Sequence, residues 1–348
     1  MMSEFYLFQL HQKEINMLPF YKNPYFDPQK PHHTKQGFRN LGVFHIPNAK
    51  MIVHWYWNRL RYRLPKQPKL GYQQFRQQWQ QPVNWQVKGD QVWWLGHATL
   101  LWRLGCRYIL TDPIFSERSS PYGIFAPKRY TPPACSIDEL PNIDVVAISH
   151  NHYDHFDAPS IKKLAMHFPE LICLVPLGMK KAILRLGVRY VYELDWWQNF
   201  QLNDLTMHCV PAYHWSQRGL CDRNRTLWCG WILQYNDNYH YFSGDTGYNE
   251  VMWQQLHQQF PKMDTIALPL GAYAPHWMMH YQHMDPQPSL LTATILACRQ
   301  AIGMHWATFE LSDEPLDDGP QWIKKELTKP EFQDIQFHVI KIGANRPI

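Results

Sequence analysis

Two periodicities alternate along most of this chain. Val92 to Leu95 and Leu100 to Trp102 are short apolar runs around Gly96 and predict two strands joined there. Tyr108 to Leu110 predicts a third strand, ending in Thr111-Asp112-Pro113, and Val145 to Ser149 a fourth. Ala158 to Phe168 spaces its apolar positions three and four apart, with Pro159 in the first turn, and predicts an amphipathic helix. Leu171–Val175 then reads as strand, Met179–Leu186 as helix and Arg189–Leu194 as strand. Thr206–Pro211, Leu227–Tyr235 and Tyr239–Ser243 follow as strands, the last two a hairpin across Asn236-Asp237-Asn238. Met252–Phe260 predicts a helix, Thr265–Leu270 a strand, Ser289–Ile302 a helix and Met304–Trp306 the start of a strand. Trp322–Leu327 reads as helix and Gln336–Ile342 as a closing strand. Strand-rich halves each followed by helices favour two packed sheets with helices outside, an α+β layered fold.

Residues 1–85 differ. Asn23 to Gly37 is punctuated by Pro24, Pro28 and Pro31 and predicts an irregular arm. Val53 to Leu64 mixes aromatics with spaced basic residues, and Tyr72–Gln80 predicts a helix. The expectation is an arm over 1–85 that packs its aromatics on a main domain spanning 86–348. A membrane interface is the other environment such a segment suits.

The strand at Val145 runs into Ser149-His150-Asn151-His152-Tyr153-Asp154-His155, and there the chemistry concentrates. On extended backbone His150 and His152 point to the same side, so their imidazoles can converge on one cation. Asp154 and His155 come where the strand turns, and can face a second. Imidazole and carboxylate without thiolate suit zinc or a similar transition metal. With nineteen histidines in the chain, a single His-x-His would be unremarkable. The six-residue pattern at a strand end is what carries the reading.

A dinuclear centre needs about seven ligands. Three further candidates sit at predicted strand ends: His214 after Val210-Pro211-Ala212-Tyr213, Asp245 between Gly244 and Thr246-Gly247, and His305 after Ile302-Gly303-Met304. A lone strand-end histidine is commonly just hydrogen-bonded, and a Gly-Asp-Thr-Gly aspartate commonly just turns the chain. The set together is harder to explain that way.

The order His-x-His-x-Asp-His, then His, Asp and His in separate later segments, is similar to the metallo-β-lactamase superfamily, an αββα sandwich. Longer motifs sharpen the likeness. Trp94 to Thr99, Thr111 to Ser116, Ile148 to His155, Glu193 to Trp197, Gly244 to Tyr248, Gly271 to Tyr273, Tyr281 to His283 and Ile302 to Trp306 resemble the N-acyl-phosphatidylethanolamine-hydrolysing phospholipase D family. The likeness runs from about Tyr21 onward; Met17 is therefore a second candidate start. The resemblance implies two zinc ions, with iron or manganese as other candidates. His150, His152 and His214 would hold one, and Asp154, His155 and His305 the other. Asp245 would bridge them, with His97 and Asp112 in supporting places. It implies phosphodiester hydrolysis by hydroxide attack on phosphorus, releasing phosphatidic acid and N-acylethanolamine. Asp154 and Asp245 would be catalytic. His283, in a polar break of the aromatic stretch Tyr273–Tyr281, is a candidate contact for the phosphate or leaving group. A homodimer and peripheral membrane contact are implied on the same basis. A hydrolase of a soluble phosphodiester, lactone or other ester would use the same ligands; a non-catalytic metal- or lipid-binding module is the reading from another class.

Composition narrows partners. Hydrophobic residues make up 45% and charged ones 18%, ample for a large core. The net charge of +5 is mild, and no Lys/Arg run exceeds two residues, which argues against a nucleic-acid partner. Seven cysteines without a Cys-x-x-Cys pair argue for a reducing compartment. No window approaches the roughly eighteen apolar residues of a membrane span, so the cytoplasm is the expected location, with a peripheral membrane site as its variant.

Overall fold

The computed structural model describes residues 21–44, 47–120 and 126–348; the candidate start at Met17 and the rest of the first twenty residues lie outside them. A small hairpin, β1 (His33–Thr34) and β2 (Gly37–Phe38), precedes two helices, α1 (Ala49–Tyr62) and α2 (Gly71–Trp79). The first large sheet then forms from β3 (Gln91–Gly96), β4 (Thr99–Leu104), β5 (Arg107–Thr111), β6 (Val145–Ala147), β7 (Ile172–Pro176) and β8 (Tyr190–Leu194). Its first three strands run antiparallel, and β5 to β8 run parallel with α3 (Ala158–His167) and α4 (Lys180–Leu184) as crossovers. The second sheet takes β9 (Asn199–Leu202), β10 (Leu205–Val210), β11 (Gly230–Tyr235), β12 (Asn238–Phe242), β13 (Met263–Pro269), β14 (Cys298–Met304) and β15 (Phe337–His338). Helices α5 (Glu250–Gln259), α6 (His276–Met279), α7 (Pro286–Ile295) and α8 (Asp318–Glu326) interleave with its later strands, and β16 (Asn345–Pro347) returns to pair with β3.

Alternation along the strands explains the layering. Val92, Trp94, Leu100 and Trp102 join the core shared with Trp231, Leu233 and Ile266 of the second sheet. Their neighbours Trp93, Leu95 and Leu101 face the opposite way, onto Ile161 and Leu164 of α3 and Ile183 of α4. Both faces of the sheet are therefore covered, so its strands are apolar throughout rather than half polar. Helices α5, α7 and α8 cover the other sheet through Trp253, Leu256, Leu290 and Ile323. The result is the αββα sandwich that the resemblance implied.

Several elements differ from the expected ones. The apolar run predicted as one helix over Ser289–Ile302 divides: α7 ends at Ile295, Ala297 turns in the left-handed region (φ 47°), and Cys298 starts β14. No glycine or proline marks that break. Parallel pairing of β14 with β13 and β15 decides it, a tertiary cause invisible in local periodicity. The strand expected from Met304 to Trp306 thus ends at Met304 instead of starting there. The closing strand over Gln336–Ile342 shrinks to Phe337–His338, while β9 and β16 were not anticipated.

Described residues before Gln91 make contacts with the sandwich. The buried Asp195 carboxylate receives His32 Nε2 at 2.7 Å, His33 Nε2 at 3.0 Å and Lys30 Nζ at 2.5 Å. The His32 ring stacks on Trp196, with centroids 4.4 Å apart. Further on, the Trp55 indole N–H of α1 donates to both Asp313 oxygens at 3.0 Å.

Candidate metal centre

Strands of both sheets end at one rim of the sandwich, and the chemistry gathers there. From the first sheet, the β3–β4 turn supplies His97, β5 leads to Asp112, and the segment after β6 carries Ser149, His150, His152, Asp154 and His155. From the second, β10 leads to His214, β12 to Asp245 and β14 to His305. Gly244 lets the rims meet: at φ 58°, a Cβ there would lie 2.5 Å from the Ser149 side chain. His97, Asp112 and His305 also hold positive φ (52°, 38° and 61°), a sparsely populated conformation.

The imidazoles converge in two groups. His150 Nε2 lies 2.9 Å and His214 Nε2 3.2 Å from His152 Nδ1. His155 Nε2 lies 3.2 Å from His305 Nε2, and Asp154 Oδ2 is 3.4 Å from both. Asp245 stands between the groups. Its Oδ2 is 3.1 Å from His155 Nε2, 3.8 Å from His214 Nε2 and 4.0 Å from His150 Nε2, while Oδ1 is 3.1 Å from His305 Nε2. All seven sequence candidates for metal ligation thus come together, from four separate segments.

The outward ring nitrogens fix which nitrogens face in. His214 Nδ1 faces the Gln282 carbonyl (2.9 Å) and His305 Nδ1 the Gly271 carbonyl (3.1 Å), so each carries hydrogen there and turns Nε2 inward, in the neutral His214 as a lone pair. His155 Nδ1 donates to Asp112 Oδ2 at 2.6 Å. Ser149 Oγ donates to the same oxygen, and so accepts from His150 Nδ1 at 2.9 Å. Two lone pairs, on His150 and His214, therefore meet His152 Nδ1, which can carry only one hydrogen. His152 reverses the usage: its Nε2 is buried without a hydrogen-bond partner. Crowded lone pairs of this kind fit a cation and are otherwise repulsive.

Charge points the same way. Burial depresses the basicity of His150, His152 and His214, the latter two to about 4 and about 3. Burial would do the same to His155 and His305, but the Asp245 and Asp154 carboxylates outweigh it. His305 is raised to about 9 and His155 is well above its ordinary value. Asp154 and Asp245 are in turn held well below the usual range, the neighbouring imidazoles overcoming burial. Five imidazoles and two carboxylates without thiolate are a donor set for a transition metal.

Around the ligands, His97 Nε2 contacts Asp154 Oδ2 at 3.0 Å. Its ligand atoms fall within 4.8 Å of those of Asp154, His155 and His305. His283 is 3.8 Å from Asp245 Oδ2 through a buried Nδ1 that has no hydrogen-bond partner, and burial with His214 and His305 nearby lowers it to about 3. Other parts of the site escaped the sequence reading. Trp215 packs edge-on against His152, with centroids 4.5 Å apart. Arg218 Nη1 donates to the carbonyls of Asn151 (2.9 Å) and Phe156 (2.7 Å), with its guanidinium over the Tyr153 ring. No local pattern singles out either residue.

A layered αββα sandwich with a histidine–aspartate centre at its rim defines the metallo-β-lactamase class of metal-dependent hydrolases. A family model described as a beta-lactamase superfamily domain matches residues 107–306. The N-acyl-phosphatidylethanolamine-hydrolyzing phospholipase D 1 of Caenorhabditis elegans is 34% identical over 261 residues, 72% of this chain and 73% of the worm protein. The mitochondrial enzyme of that name from Saccharomyces cerevisiae is 37% identical over 64% of this chain, which spans only 48% of the yeast protein. Among solved structures, isothiocyanate hydrolase from Delia radicum gut bacteria aligns with TM-score 0.59 at 17% identity, over 74% of this chain and 98% of that one, a likeness of fold. The chain belongs to the N-acyl-phosphatidylethanolamine-hydrolysing phospholipase D family of the metallo-β-lactamase superfamily.

Proposed function

We propose that this chain is a dinuclear phosphodiesterase that hydrolyses N-acyl-phosphatidylethanolamine or a related phospholipid to phosphatidic acid and an N-acylethanolamine. The observation that carries the reading is the convergence of the seven donors into a three-histidine group and an Asp-His-His group with Asp245 between them. His150, His152 and His214 would hold one zinc ion, and Asp154, His155 and His305 the other. The similarity to the worm and yeast enzymes supports the substrate class.

When bound, two such ions supply Lewis acidity toward a phosphoryl group and bring water acidity toward neutral pH. The chain's own residues do the rest. Asp154 and Asp245 stay ionised, balance the cationic charge and accept hydrogen bonds from the attacking water. His283, neutral at physiological pH, offers its unpartnered ring nitrogen to a phosphoryl oxygen or to the departing alcohol. As a neutral imidazole it acts by hydrogen bonding rather than as a standing acid. Ser149, Asp112 and the Gln282 and Gly271 carbonyls keep the ligand tautomers fixed.

Residues 1–85 are proposed to act as an arm on the catalytic domain of 86–348, held at the Asp195 and Asp313 contacts. No helix of the described residues is long and apolar enough to cross a membrane. Helix α1 supports peripheral contact instead. Trp55 and Arg59 turn inward to Asp313, while Val53, Tyr56, Trp57 and Leu60, at helical spacing, are 57–77% exposed. Trp277, 41% exposed, follows on from α1 through His54, whose ring is 6.1 Å away.

Product analysis by mass spectrometry over phospholipids, soluble phosphodiesters, lactones and carboxylic esters tests the reading. Wild-type protein should release phosphatidic acid and N-acylethanolamine, and Asp245→Asn should abolish that release. Preference for a soluble ester, or full activity of the Asn variant, would overturn it.

A further inference from the structure

We propose that Glu314 is a positioning residue for the Asp154/His155/His305 cation site, acting through the loop Gly271–Ala274; the inference rests on the ligand assignment above. The hydrogen bond from His305 Nδ1 to the Gly271 carbonyl sets which ring nitrogen of His305 faces Asp154 and Asp245. That carbonyl sits on backbone with no helix or strand of its own. The loop therefore needs anchors. On one side Leu270 N–H donates to Met304 O at 2.8 Å, which sets the start of the loop beside the end of β14. Beyond the carbonyl, Glu314 supplies the other anchor.

Its carboxylate accepts two consecutive loop N–H groups, Tyr273 N to Oε1 at 3.2 Å and Ala274 N to Oε2 at 2.9 Å. Asp313 N–H donates back to Ala274 O at 2.9 Å, so the two segments clasp each other. The fit against the ligand is close. A Cβ on Gly271 would lie 2.6 Å from the His305 carbonyl oxygen and 3.4 Å from Glu314 Oε1, so the loop rests directly on the His305 backbone. Among the described residues no salt bridge joins Glu314 to a lysine, arginine or histidine; burial raises its carboxyl above the ordinary value, opposed by the loop N–H groups and Ser312. A half-buried carboxylate without a cationic partner costs stability, and a neutral staple would avoid that cost. Each of the two N–H groups meets its own carboxylate oxygen, and an amide in the same place would turn an NH2 donor toward one of them.

Glu314→Gln tests this. The amide keeps the size but presents one acceptor to two N–H groups. In zinc titrations against a competing chelator, the variant should bind one ion as wild type does and the other about tenfold more weakly. Its absorption spectrum with cobalt in place of zinc should change only in the bands of the weakened ion. Glu314→Asp, which keeps both acceptor oxygens, should recover part of the lost affinity. Wild-type affinity for both ions and a wild-type spectrum in Glu314→Gln would overturn the proposal, including where its thermal stability falls. Wild-type protein that takes up fewer than two ions would instead overturn the ligand assignment.

Discussion

His150 Nε2 and His152 Nδ1 face each other at 2.9 Å, two residues apart in sequence and using opposite nitrogens of their rings. The Ser149 hydroxyl holds Nδ1 of the first, so only Nε2 can turn inward; the second has no partner at Nε2. His150, His152 and His214 are already neutral at pH 7, whereas His155 and His305 hold protons in the metal-free chain. The two sites should therefore differ in pH dependence.

Metal must displace a proton from a histidine whose basicity is raised, and displaces none from one whose basicity is lowered. Binding to the metal-free protein at pH 7 should release about two protons, both with the ion at the Asp154/His155/His305 site. Affinity for that ion should fall as pH drops from 8 to 6, while the other changes little. Calorimetry in buffers of different ionisation enthalpy reads the proton count. Equal pH dependence at both sites would contradict the assignment.

Asp112 tests the supporting layer. Its Oδ2 accepts from both His155 Nδ1 and Ser149 Oγ. In Asp112→Asn one of those donors meets an amide, and the tautomers of His155 and His150 are no longer fixed together. Metal affinity or turnover should drop about 10- to 100-fold. Metal content after dialysis and kcat at saturating zinc separate the two effects, and wild-type values for both would remove Asp112 from the account.

The Asp195 clamp governs the arm. Burial alone would raise this carboxyl, but His32 and Lys30 outweigh it and hold it below its ordinary value. A depressed carboxyl contributes stability above about pH 4 that is lost as pH falls below it. Asp195→Ala leaves His32, His33 and Lys30 without their acceptor and should cost about 3 kcal/mol at pH 7. Limited proteolysis within 21–44 should accelerate in the variant. An equally protected arm would mean that the clamp is dispensable.

Much of this site was legible because its core is one contiguous stretch. Alternation placed His150 and His152 together, and strand ends located His214, Asp245 and His305. What was hidden depends on distant backbone. The Gly271 and Gln282 carbonyls that orient His305 and His214 have no side-chain signature, and Arg218 clamps the 151–156 loop from another segment. Likewise the start of β14 at Cys298 follows from its neighbours β13 and β15, not from its own apolar run. The inward face of α1 could not be told from its outward face until Trp55 found Asp313.

That face makes a prediction of its own. Trp57→Glu together with Leu60→Glu should reduce sedimentation with phospholipid vesicles several-fold, since each removes exposed apolar surface available to the bilayer interface. Turnover of a short-chain soluble phosphodiester should be unchanged. Undiminished vesicle binding would move the membrane contact elsewhere.

The central claim is water attack on phosphorus, and isotope labelling reads it directly. N-acyl-phosphatidylethanolamine hydrolysed in water enriched in oxygen-18 should yield phosphatidic acid carrying one heavy oxygen and N-acylethanolamine carrying none. Heavy oxygen in the N-acylethanolamine, or in a released fatty acid, would show that the bond broken is not the one this site is proposed to cleave.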